Sequence, residues 1–199
     1  MAKSRTSLSL LAHPHTPSEA VRRIAACIEA SGPDSLRLQY VLEGDLRRVR
    51  IPPPVAQARR ADKLWVHTCF EAFICPEGST RYLELNFSPL GQWAAYRFES
   101  YRRGMAAAVL EEAPRLTLLH SEEQLELQAE VGLGAALRMP EASAMRGAPA
   151  QGRVHIAVSA VVEDEDGRLS YWALRHPPGR PDFHHPEGFS LALELPPTP

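Results

Sequence analysis

The chain reads as an all-β protein, a single antiparallel β-sandwich with one short N-terminal helix. Three features predict this. Apolar and polar residues alternate with period two in many short segments, Gly- and Pro-containing turns separate those segments, and helical spacing recurs in one place only. The clearest alternation is Leu125, Leu127, Ala129, Val131 and Leu133 against Glu126, Gln128 and Glu130. At 199 residues the chain can bury a sizeable core without disulfides.

The elements follow in order. Leu8-Ser-Leu-Leu reads as a first strand. Thr16 as N-cap, Pro17 at the first helical position and Glu19 completing a capping box predict a helix start. Val21, Ile24, Ala25 and Ile28 recur at helical spacing, and Ser31-Gly32-Pro33 stops the run. Residues 1–35 thus form an N-terminal strand and helix appendage, and 36–199 the sandwich. Leu36 to Leu42 alternates as a half-buried strand. Val49 to Ile51 is a second short strand, and 55–63 a polar loop.

The stretch Leu64 to Cys75 reads as the central strand. Period two sets Trp65, His67, Cys69, Glu71 and Phe73 on one face and Val66, Thr68, Phe70, Ala72 and Ile74 on the other, toward the core. An indole plate near a carboxylate suits a ligand with a flat apolar face and hydroxyl donors, as a sugar ring has. Tyr82 to Ser88 alternates next, with Leu83, Leu85 and Phe87 inward and Tyr82, Glu84, Asn86 and Ser88 outward. Trp93 to Phe98 continues the hairpin after Pro89-Leu-Gly91. Glu71 and Glu84 then lie on adjacent strands. Residues 101–112 form a loop or weak helix. Leu116 to Leu119 pairs with 124–133, and 134–152 is a long mobile loop. Val154 to Val162, Leu169 to Leu174 and Phe189 to Leu195 complete roughly nine to eleven strands, an expectation for folds of this kind.

The formal net charge of −2 gives no basic field to attract nucleic acid or anionic lipid. No apolar run reaches the roughly 18 residues of a membrane span. The N-terminal apolar stretch is too short for a secretory segment, and Cys27, Cys69 and Cys75 do not pair off evenly, so reduced thiols in a cytoplasmic protein are expected. The oligomeric state is not legible.

Three segments carry a resemblance: Leu64-Trp-Val-His-Thr-Cys-Phe-Glu-Ala-Phe, the hairpin from Tyr82 to Tyr96, and Tyr171-Trp-Ala-Leu-Arg-His-Pro with Pro181-Asp-Phe-His-His. Together they resemble the bacterial DOMON-like proteins, a set related to family 9 carbohydrate-binding modules, over about Leu36 to the C-terminus. The resemblance implies a small-molecule or carbohydrate ligand stacked between two tryptophans, with polar side chains holding its hydroxyls. Trp65 and Glu71 match the first plate and its carboxylate. Trp172 matches the second plate by late chain position, Asn86 sits in the matching hairpin, and Glu84 and His176 join the candidate set.

No cofactor is expected, but haem or a divalent metal are the alternatives. Haem would need a Met–His pair from His67, His155 or His176 with Met105, Met139 or Met145. Asp182 and His184 are metal candidates, set against a role in fastening their proline-rich loop. A glycoside-active enzyme using Glu71 and Glu84 is a further alternative, although nothing in the strand pattern desolvates either acid. No GxSxG, HExxH, phosphate-loop or dinucleotide motif occurs.

Overall fold

A computed structural model describes residues 7–51, 53, 58–137 and 152–197. Thirteen strands run through it: β1 (Leu8–Ala12), β2 (Val21–Gly32), β3 (Ser35–Gly44), β4 (Arg59–Arg60), β5 (Cys69–Pro76), β6 (Tyr82–Phe87), β7 (Gln92–Phe98), β8 (Ala106–Ala107), β9 (Arg115–His120), β10 (Gln124–Gly132), β11 (Arg153–Glu163), β12 (Leu169–Ala173) and β13 (Leu191–Glu194). Among the described residues no helix exceeds the single turn Gly134–Leu137, and none is long and apolar enough to cross a membrane.

The strands form one curled sheet in the order β4-β7-β6-β5-β11-β12-β1-β2-β3-β10-β9. Nearly every pairing is antiparallel, β4 beside β7 being the parallel exception. β1 is the fold line. Leu8 to Leu10 pair with Ala26 to Ile24 of β2, while Leu11 and Ala12 pair with Ala173 and Trp172 of β12. The two halves close on a shared core. Leu36, Leu38, Tyr40 and Leu42 of β3 and Leu125 and Leu127 of β10 meet Phe70, Ala72 and Ile74 of β5 and Leu83, Leu85 and Phe87 of β6. The alternation that predicts these strands thus does set their inner face. Tyr40 reaches across the core and donates its hydroxyl to the Glu71 carbonyl oxygen at 2.7 Å.

The N-terminal helix is a correction, since residues 21–32 are strand β2. A β-bulge between Val21 and Arg23 puts Val21 and Ile24 on the same side, which mimics helical spacing. From Ile24 onward, Ala26 and Ala30 keep period two on the core. The capping signature serves a turn instead: Ser18 Oγ accepts the Val21 N–H at 3.1 Å, and Thr16 Oγ1 accepts the Tyr171 N–H at 3.3 Å. The expected strand at Val49–Ile51 is also corrected. A 3-10 turn over Leu46–Arg48 is followed by a lone bridge between Val49 and Asp164. The two-residue strands β4 and β8, together with β2, bring the number above the expected eleven.

The central strand begins at Cys69, not at Leu64. Leu64–Val66 form a 3-10 turn entered through Lys63 in the left-handed region, φ 58°. The outward face of β6 is another departure: all six of its residues are buried, because loops cover that face. A second apolar cluster of Cys69, Phe73, Tyr82, Tyr96 and Phe98 lies there, with Trp65, Phe183 and Phe189 packed against it. Most of the expected loop at 134–152 lies outside the described residues.

Candidate functional site

The outer face of the β5-β6-β7-β11-β12 half holds a cleft of about 320 Å³, within the range of small-molecule sites, about 300–1,000 Å³. Its floor carries Glu71 of β5 and Glu84 of β6, with Val161 of β11 and Tyr171 of β12 beside them. Register explains the meeting. Glu71 is paired with Asn86 and Ser159, and Glu84 with Phe73 and Tyr96, so the two acids are diagonal neighbours on one face. The walls come from loops: Trp65 from the 3-10 turn, Arg102 and Met105 after β7, and Pro181, Phe183 and His184 after β12.

Trp65 enters the cleft by the turn rather than by strand alternation. Its ring stands edge-on to Tyr96 at 5.7 Å. Trp172 is elsewhere, and this corrects the expected second plate. It is 5 % exposed, lies in the core between the sheet halves, and donates its indole N–H to Ser170 Oγ at 3.0 Å. The register Ala160–Trp172 and Val161–Tyr171 sends Trp172 inward and its neighbour Tyr171 into the cleft.

His176 also stands outside the cleft lining. Its ring Nε2–H donates to the Leu11 carbonyl at 2.8 Å, and its ring meets His13 at 4.9 Å. Phe98, Arg102, Tyr171 and Phe183 were missed by sequence reasoning. Tyr171 could have been found from the opposite phase of its own strand, but loop residues carry no period.

Both acids are desolvated, contrary to the expectation from the strand pattern. Glu71 is 3 % exposed and Glu84 4 %. Burial pushes Glu71 well above the carboxylate range, the Glu84 charge pushes the same way, and Ser159, donating to Oε2 at 3.3 Å, and Arg102 oppose it. Burial raises Glu84 to about 7, against the pull of Arg102 and of Asn86, whose fully buried amide donates to Oε1 at 2.7 Å.

His184 is held neutral. Burial lowers it to about 4, and Arg102 adds to this against the opposing charge of Asp182. Tyr82 Oη accepts the Arg102 N–H at 3.2 Å and meets His184 Nδ1 at 2.8 Å. With the hydroxyl donating to Nδ1, the neutral ring carries its proton on Nε2. That Nε2–H faces Glu84 Oε2 at 3.8 Å, beyond hydrogen-bond length.

Asp182 fastens the loop. It accepts from Arg102 Nη2 at 2.7 Å, from the His184 backbone N–H at 3.1 Å and from the Tyr101 hydroxyl. Burial acts to raise Asp182, but these donors outweigh it and hold it below its ordinary value. These bonds engage the Asp182 carboxylate and His184 Nδ1, in keeping with a role in fastening the loop, and among the described residues no group of three or more His, Cys, Asp or Glu is placed to hold a metal. Of the haem candidates, His67 meets Glu163 at 2.7 Å, His155 meets Glu77 at 3.9 Å, and Met139 and Met145 lie outside the described residues. Among the described residues Cys27, Cys69 and Cys75 form no disulfide.

The chain matches no protein-family model and no curated protein sequence. Among solved structures it is similar to a Bacteroides uniformis protein described as a presumed carbohydrate-binding protein. The TM-score is 0.63 at 17 % identity, covering 96 % of this chain and 85 % of that one. A family 9 carbohydrate-binding module of Caldicellulosiruptor kristjanssonii with glucose bound is more distant, at TM-score 0.48, 8 % identity and coverage of 96 % and 86 %. Such a module from the same organism with cellotriose bound gives 0.40, 9 %, and 83 % and 75 %. The DOMON-like resemblance rests on the sequence segments alone. What the first likeness shows is architecture: an all-β curled sheet shared with the Bacteroides uniformis protein.

Proposed function

We propose that the protein is a non-catalytic binding module for a carbohydrate or a glycosylated small molecule. The observation that carries this is the cleft itself, where two buried carboxylates meet the rings of Trp65, Tyr171, Phe98 and Phe183. Fold likeness alone carries no function. A sugar ring offers an apolar face for the rings and hydroxyls for Glu71 and Glu84. Tyr171 and Phe183 replace Trp172 as candidates for the second aromatic surface. Stacking contributes about 0.5–1.5 kcal/mol per plate by analogy with aromatic pairs. Hydrogen bonds to the carboxyls add about 0.5–1.5 kcal/mol each, or about 1.5–3 kcal/mol where the carboxyl is ionised, so weak to moderate affinity remains after ordering costs.

The test is saccharide retention on a glycan array by the wild type and Trp65→Ala. Retention by the wild type and its loss in the folded variant is the expected result; equal retention by both removes Trp65 from the site. The raised Glu84 also meets the requirement for a general acid in glycoside hydrolysis. The same preparation is therefore offered aryl-glycosides, and turnover that disappears in Glu71→Gln puts hydrolysis in place of retention.

A further inference from the structure

The acids of the cleft lack a cation of their own. Glu71 receives one hydrogen bond among the described residues, from Ser159 to Oε2, and its Oε1 takes none although the residue is 3 % exposed and faces the cleft. Glu84 Oε1 is occupied by Asn86, while Oε2 has the neutral His184 ring beyond bonding distance. Arg102 is the cation of the cleft wall, and both its Nε and Nη2 are turned to Asp182 Oδ1 at 3.2 and 2.7 Å. Three carboxylates thus share one guanidinium. Buried carboxylates without a partner are costly when ionised, and a sheet face gains nothing structural from two of them. The rings of Trp65, Phe98, Tyr171 and Phe183 line the same cleft, and aromatic rings attract a cation at their faces.

We infer that the ligand of this cleft carries a protonated amine, the class being an amino sugar with a free ammonium. This rests on the carbohydrate reading and narrows it. The ammonium sits between Glu71 and Glu84, the ring hydroxyls take the remaining acceptor positions, and the apolar ring face lies on the aromatic wall. Binding then releases a proton from the acid pair, because an adjacent ammonium favours both ionised carboxylates. The titratable and charged groups that bear on Glu84 are Cys69 and Glu71 of β5, Tyr82 of β6, Tyr96 of β7, and Arg102 and His184 from the loops.

The experiment is calorimetric titration of the full chain near pH 7 with D-glucosamine, N-acetyl-D-glucosamine, D-glucose and ethanolamine. Two buffers of different ionisation enthalpy count the protons released. Glucosamine is expected to bind at least tenfold tighter than the two neutral sugars, with proton release seen for it and not for them. Glu84→Gln should shrink the preference below threefold, and Glu71→Gln serves the same purpose if the first variant fails to fold. Glucose bound as tightly as glucosamine overturns the inference and leaves the carbohydrate reading standing. Ethanolamine bound while no sugar binds overturns the carbohydrate reading and keeps the cation site. No binding by any of the four overturns both.

Discussion

Glu84 gathers opposing influences onto one carboxyl. Burial favours its neutral form, and the Asn86 amide favours its ionised form. Removing that amide should therefore move Glu84 further above about 7. In Asn86→Ala the side-chain carboxyl resonance, followed by NMR across pH, is expected to titrate later than in the wild type. The same change leaves a buried acceptor bare, so urea unfolding should show a loss of about 1–3 kcal/mol. An unshifted titration would mean that the Asn86–Glu84 bond does not form in solution. At this scale the sequence shows which residues share a face of β5 and β6, because alternation alone decides it. It does not show that the polar face is covered. Nothing in Tyr82-Leu-Glu-Leu-Asn-Phe distinguishes a solvated outer face from one roofed by a loop about a hundred residues away.

Trp65 and Trp172 show how far pattern reaches at the scale of an element. Within β12 a single step of phase separates the cleft from the core, and the sequence segment Ser170-Tyr171-Trp172-Ala173 permits either assignment. Pairing with β11 decides it, and pairing is a long-range property. Trp65 is on the cleft through a left-handed Lys63 and a 3-10 turn, neither of which period two anticipates. β2 was hidden for a related reason, since one bulge gives a strand the spacing of a helix turn. The two tryptophans should consequently separate in a stability measurement. Trp172→Ala empties part of the core and should lower the unfolding free energy by about 3–5 kcal/mol. Trp65→Ala, at a half-buried wall, should cost clearly less. Equal costs in urea denaturation would contradict the placement of Trp172.

The whole molecule titrates as a sum of opposed groups. A carboxyl raised from 4.5 to about 7, as in Glu84, keeps its proton in the folded state while the unfolded chain loses it, so its share of stability falls as pH rises through that window. An imidazole lowered from 6.5 to about 4, as in His184, does the reverse, and its share falls as pH drops through 6.5 toward 4. Between about 4.5 and 6.5 the folded chain holds a neutral acid and a neutral base where the unfolded chain holds an ion pair's charges, and the two slopes largely cancel. The raised Glu71 leaves a residual fall in stability toward higher pH. Urea midpoints measured from pH 5 to 8 should show a shallow decline in the wild type and a steeper one in His184→Gln. The same slope in both would exclude the neutral assignment of His184.

The dual pairing of β1 has a consequence for assembly. A chain cut after Ala12 would keep both flanking strands, the long β2 and the short β12, with amide donors and carbonyl acceptors open to whatever strand arrives first. Another copy of the same chain offers both complementary margins. Five residues at the seam thus stand between a closed curl and strand exchange among neighbours.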